Sequence, residues 1–225
     1  AKNAEKKKYW CCKSLHNLNF YNNKKFKVLD PIYIYIYRDG RDVAASYKKA
    51  SIGDKHIYFL AKKWEKDQVI CKKIRETTND SNFFSVKYED LLNNPSKVFK
   101  LFCSKYEIKY NKNFLDFYKS NDSKITSLSG KLWQNLSRPL IKNNSEKYKR
   151  ELSLDEIKIF ESINSKILES LGYKNINSAE NLIKNFSNEK IKSYEKINMK
   201  LKEENRLKNS TLEMKLRKRQ KSILN

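Results

Sequence analysis

Between Arg38 and Ser46 the chain sets two guanidinium groups, two carboxylates and a hydroxyl: Arg38, Asp39, Arg41, Asp42 and Ser46, with Gly40 among them. Guanidinium forks grip phosphate and sulfate oxygens, a hydroxyl adds a donor, and free amides at a helix start favour negative charge. The cluster therefore reads as an anion-binding corner. The same residues have a plainer use. Arg38 could instead pair with Asp42, Asp39 or Glu89, Ser46 could be a small residue packed on the sheet, and Arg41 and Asp42 fasten the helix start by charge and capping.

Positioning such a corner takes a strand and a helix. Ile32 to Tyr37 alternates Ile and Tyr, all β-branched or aromatic, which predicts a strand covered on both faces. A helix follows from Gly40 or Arg41, and a strand feeding a helix at a polar corner is where open α/β sheets place ligands. Upstream, Tyr9–Ser14 reads as a short strand with Lys13 and Ser14 at its polar end, and 16–25 as a short helix or turn. Downstream, Ile57, Leu60, Ala61, Trp64, Cys71 and Ile74 define one face of a helix over 55–77. Phe83–Val86 reads as the next strand, and Asn94-Pro95 opens another helix. Helices between strands predict a parallel sheet in an α/β domain. Residues 109–150 read as irregular, the kind of long loop that covers a site. Ser153 and Glu156 form a capping box for a helix that stops at Gly172. The expected division is an α/β domain over 1–173 and a Lys-rich helical or marginally coiled-coil extension over 174–225. In the extension Ile191, Tyr194, Ile197 and Leu201 share a face that offers a route to self-association.

The 225 residues hold 49 Lys+Arg against 26 Asp+Glu, a formal charge of +23, which suits an anionic partner. Enrichment in Lys, Asn and Ile along the whole chain also reads as general compositional bias. Cys11, Cys12, Cys71 and Cys103 lack Cys-x-x-Cys spacing and read as reduced, mostly buried thiols, with no metal expected. No apolar run reaches the roughly 18 residues of a membrane span.

Tyr37-Arg38-Asp39-Gly40-Arg41-Asp42-Val43-Ala44-Ala45-Ser46-Tyr47 resembles a signature of the PAPS-dependent sulfotransferases (PAPS, 3′-phosphoadenosine-5′-phosphosulfate), with Ser46 eight positions after Arg38. Three further blocks follow the family order. Trp10-Cys11-Cys12-Lys13-Ser14 resembles the strand ending in Lys-Ser. Tyr88-Glu89-Asp90-Leu91 with Asn94-Pro95 resembles the Tyr-Glu-Asp-Leu block. Ser137-Arg138-Pro139-Leu140-Ile141 with Lys147-Tyr148-Lys149 resembles the loop that closes over the nucleotide.

The resemblance implies a P-loop-NTPase-like α/β sulfotransferase fold. It also implies sulfuryl transfer from PAPS to a hydroxyl or amine of a small molecule, glycan or protein, without a metal. Arg38 and Ser46 would hold the 3′-phosphate, Tyr88 would lie near the adenine, and Lys147 would meet the phosphate end of PAPS. Lys13 is a candidate for the transferred sulfate. His16, one place beyond the usual family spacing from that Lys, is a candidate base. The family's glycine-containing 5′-phosphosulfate loop has no counterpart among Gly40, Gly53, Gly130 and Gly172. The chain also starts at Ala1, so the expectation is a fragment lacking its first βα unit. The visible chain suits the cytoplasm, and a missing N-terminal anchor would suit the Golgi. Two alternatives remain: a non-catalytic nucleotide-binding scaffold of this fold, and a basic nucleic-acid-binding module, although no nucleic-acid motif is present.

Overall fold

The computed structural model describes residues 9–13, 18, 21–23, 28–130 and 133–208. Ser14, His16, most of the helix or turn expected over 16–25, and the end of the extension beyond residue 208 lie outside them.

Strand β1 (Tyr33–Tyr37) runs into helix α1 (Gly40–Lys49), followed by α2 (Ile57–Glu76) and strand β2 (Phe83–Lys87). The strands pair in parallel from Tyr33 opposite Phe83 to Tyr37 opposite Lys87, as helices between strands predict. Helices α3 (Tyr88–Asn93) and α4 (Pro95–Lys105) follow at once. The stretch expected to be irregular holds short helical pieces: 3-10 turns over Lys112–Lys119 and Gln134–Ser137, α5 (Asn121–Ser127) and α6 (Tyr148–Glu151). Helix α7 (Leu154–Ser170) starts at the expected capping box. It stops at Gly172, whose φ of 76° lets the Tyr173 amide reach back to the Leu168 carbonyl. Helix α8 spans Asn188–Leu207.

Three expectations need correction. The family-like strand over Tyr9–Ser14 is absent from its described part: Tyr9–Lys13 are exposed, and the described sheet holds β1 and β2 alone. β propensity is a weak prior that tertiary context overrides, so aromatic content alone does not make a strand here. Strand β1 is covered on one face only among the described residues. Tyr33, Tyr35 and Tyr37 are half-buried, with the Tyr35 hydroxyl on Gln68 of α2, whereas Ile34 and Ile36 are exposed. Finally, Cys11 and Cys12 are exposed and Cys71 is partly so, leaving Cys103 as the buried thiol.

The core lies where α1, α2, α6 and α7 meet, built from Ala44, Ala45, Ile57, Leu60, Ala61, Trp64, Tyr148, Leu152, Ile157, Phe160 and Leu168. The Trp64 and Phe160 rings press on the first residue of α1. A Cβ at Gly40 would meet Phe160 Cζ and the Trp64 ring at 2.6 Å. Gly40→Ala is therefore expected to destabilise the fold by about 1–3 kcal/mol through overpacking. The urea midpoint of the variant measures this, and an unchanged midpoint would contradict the close contact.

Helix α8 packs where α1 joins α2. Asn198 accepts from the Lys55 and His56 amides at 2.8 and 3.0 Å, donates to Asp54 at 2.9 Å, and Tyr194 stacks on His56 at 4.3 Å. Between α7 and α8 the chain is tied down by Glu161 of α7, which accepts from the amides of Ile176 and Asn177, both at 2.9 Å.

Candidate anion-binding site

The register that sets Tyr37 opposite Lys87 also sets the next residues, Arg38 and Tyr88, side by side at the carboxyl ends of two parallel strands. The Arg38 guanidinium lies over the Tyr88 ring at 4.5 Å, a cation–π contact. Its Nη2 donates to Asp42 at 3.2 Å and to the main-chain carbonyl of Asn144. Asn144 in turn donates through Nδ2 to the Tyr88 hydroxyl at 2.9 Å. The irregular 138–147 segment thus closes over the corner.

Lys147 completes the group. Its side chain is half-buried, and burial first, then the positive charge of Arg38, push its ammonium below the ordinary lysine range; Glu151 and Asp42 offset this only in part. The charge of Arg38 disfavours that of the half-buried Lys147, so an anion beside them would relieve both desolvation and repulsion. The linkage has a definite sign. Because folding lowers the Lys147 pKa, the unfolded chain holds that proton more tightly. The cost is full below the folded pKa and fades as pH rises towards the ordinary lysine value. Lys147→Met is therefore expected to raise the melting temperature of the ligand-free protein at pH 7 and to reduce the further rise that inorganic phosphate gives. Calorimetric scans of both proteins with and without phosphate check the two opposite signs.

Other corner residues serve the scaffold. Asp39 caps α1 by accepting from the Arg41 amide at 2.9 Å, so that amide is not open to a ligand. Asp42 is fully buried and accepts from the Tyr148 amide at 2.9 Å as well as from Arg38. Arg41 is no anion receptor. It is 1% exposed and gripped by Asp39 at 2.7 and 3.0 Å and by Glu161 at 2.5 Å. These carboxylates, with Tyr148 beside them, hold its pKa above the ordinary arginine value despite burial. Arg41 and its amide are thus taken up by the scaffold, which leaves Arg38 and Lys147 as the candidate cations of the corner. Glu89 leaves Arg38 alone and joins the Asp39 amide at 3.5 Å to the Tyr173 hydroxyl at 2.8 Å, tying the corner to the segment after α7.

Of the residues picked from the sequence, Arg38 and Tyr88 come together, and Lys147 lies near enough to Arg38 to feel its charge. Ser46 is half-buried one turn along α1, its hydroxyl donating to the Asp42 carbonyl at 3.0 Å. Lys13 lies elsewhere in contact terms, its ammonium 4.8 Å from the Trp133 ring centroid. His16 lies outside the described residues. Asn144 was missed: a lone Asn in an Asn-rich chain carries no signal, and only the fold shows it between Arg38 and Tyr88. Among the described residues no cluster of His, Cys, Asp and Glu is arranged to hold a metal, and no helix is long and apolar enough to cross a membrane.

No curated protein and no solved structure gives a significant match to the chain. Residues 1–112, which supply β1, α1, β2 and α3 and therefore Arg38, Ser46 and Tyr88, match the model of the Sulfotransferase family; Asn144 and Lys147 lie beyond the match. The chain thus carries a domain of the sulfotransferase family.

Proposed function

We propose that this chain binds PAPS through its 3′-phosphoadenosine half and belongs to an enzyme that transfers the sulfuryl group to a hydroxyl or amine. The observation that carries this reading is the Arg38–Tyr88–Lys147 group. It puts half-buried Arg38 and an aromatic face at the carboxyl ends of parallel strands, with half-buried Lys147 within reach of the Arg38 charge, a place for a base stacked beside a phosphate. Arg38 and Lys147 take the 3′-phosphate charge, and Tyr88 lies beside the adenine. Ser46 would join them by turning its hydroxyl from the Asp42 carbonyl. In the transfer the sulfur–oxygen bond to the 5′-phosphate breaks as the acceptor's oxygen or nitrogen bonds to sulfur and gives up its proton. Lys13 and His16 are the candidates for that end of the reaction. The acceptor is a small molecule, a glycan or a protein, and self-association through the extension would use the exposed Ile197 of α8, since Tyr194 is already buried against His56.

A second reading, a nucleotide-binding scaffold without catalysis, is favoured by one specific observation. None of the four glycines lies in a phosphate-cradling loop, and Gly40 at the corner itself is pinned beneath Trp64 and Phe160. Incubating the full chain with PAPS and a panel of hydroxyl and amine acceptors separates the two. Acceptor-dependent release of 3′-phosphoadenosine-5′-phosphate supports the enzyme, binding without release supports the scaffold, and no binding sinks both.

A further inference from the structure

We infer that Asn144 is a built-in competitor at the anion corner, its main-chain carbonyl occupying Arg38 until an anion takes its place. The side-on edge of a guanidinium offers Nε–H and one Nη2–H in parallel, the fork that a phosphate or sulfate accepts bidentately. In Arg38 this fork is half filled. Nη2 donates to the Asn144 carbonyl, with Asp42 at 3.2 Å and the Asn144 Oδ1 at 3.5 Å as its further partners, whereas Nε is buried and has no partner. Buried N–H groups are almost always paired, and an exception calls for a reason. Here the reason is that the carbonyl sits where one oxygen of an incoming anion belongs. An oxyanion on this edge would satisfy Nε and claim Nη2. A carbonyl oxygen and an anionic oxygen repel each other, so the carbonyl must withdraw.

The segment is built to give way. Residues 141–143 are exposed, and Glu146 holds a φ of 54°, a left-handed conformation costly for a residue other than glycine. The next fixed point is the Tyr148 amide on Asp42. Besides Arg38, the side-chain hold on Asn144 is its Nδ2 bond to the Tyr88 hydroxyl. Asn144 and that hydroxyl therefore set the affinity of the corner by opposing the ligand, while Arg38 and the Tyr88 ring favour it. The identity of the anion as a 3′-phosphonucleotide rests on the proposed function; the competition does not.

Hydrogen exchange of the amides in 141–147, measured on the full chain, tests this together with binding titrations. The probes are 3′-phosphoadenosine-5′-phosphate and inorganic pyrophosphate, and the variants are Asn144→Ala and Tyr88→Phe, the second of which keeps the ring against Arg38. Ligand is expected to speed exchange across 141–147. Each variant is expected to speed it without ligand and to tighten binding several-fold. Slower exchange on adding ligand, or weaker binding by either variant, would overturn the inference and make Asn144 an ordinary ligand contact. If pyrophosphate releases the segment but the nucleotide does not bind, the nucleotide reading fails and the competition stands. If the nucleotide binds and exchange over 141–147 is unchanged, the competition fails and the nucleotide reading stands. No binding of either probe to wild type or variants overturns both.

Discussion

Arg38→Ala is expected to raise the dissociation constant for 3′-phosphoadenosine-5′-phosphate roughly tenfold to a hundredfold. A hydrogen bond to a charged group contributes about 1.5–3 kcal/mol, and about 1.4 kcal/mol is a factor of ten. The variant also removes a partner of Asp42, which is fully buried and would keep the Tyr148 amide as its other partner. Some loss of fold stability will accompany the loss of binding. Arg38→Lys separates the two effects. It keeps a positive charge near Asp42 but loses the planar fork, so binding should fall well below wild type while the melting temperature stays nearer to it. Titration calorimetry on folded samples of both variants reads the result. Equal affinity in Arg38→Lys and wild type would mean that the corner is read as bulk charge and not by a fork.

The largest expected effect on stability lies deeper. Glu161 is fully buried on α7. It pairs with Arg41 at 2.5 Å and accepts from the Ile176 and Asn177 amides and from Asn177 Nδ2 at 2.6 Å. Glu161→Ala strips one counter-charge from an arginine that is itself 1% exposed and orphans three donors. Removing one partner of a buried pair typically costs about 3–5 kcal/mol, and denaturant unfolding is expected to show a loss of that size. The chain between α7 and α8 should also become open to proteolysis, since Glu161 ties it down at residues 176 and 177. A variant with wild-type stability and an uncut 174–183 segment would show that Arg41 is content with Asp39 alone. The substitution lies away from Arg38 and Lys147, so nucleotide binding by the folded fraction should survive.

Much of this architecture is legible in local chemistry. The Ile–Tyr alternation specifies β1, the 3–4 spacing from Ile57 to Ile74 specifies α2, and Ser153 with Glu156 specifies the start of α7; each signal acts within a few residues. The corner is legible too, because strand, turn and helix are contiguous there. What the sequence hides is long-range pairing. Arg38 and Arg41 look alike on paper, yet one faces the site and the other is locked between Asp39 and Glu161, a carboxylate far along the chain. The helix-start amides that would favour an anion include one capped by Asp39, a choice that side-chain rotamers make and composition does not. Tyr194 and Asn198 look like parts of a solvated helix until His56 and the Lys55 amide are found beneath them. Asn144 has no motif at all; its position follows from where the 138–147 segment crosses the strand ends.

The central claim is that the corner made by Arg38, Tyr88 and Lys147 recognises the 3′-phosphate of an adenine nucleotide. Titrating the full chain with 3′-phosphoadenosine-5′-phosphate and, separately, with adenosine-5′-monophosphate tests it most directly, because the two ligands differ only in that phosphate. The account predicts that the 3′-phosphorylated compound binds at least about tenfold more tightly, the worth of one charge-assisted contact, and that Arg38→Ala removes most of the difference. Equal affinities for the two nucleotides, or a difference that survives in Arg38→Ala, would contradict it.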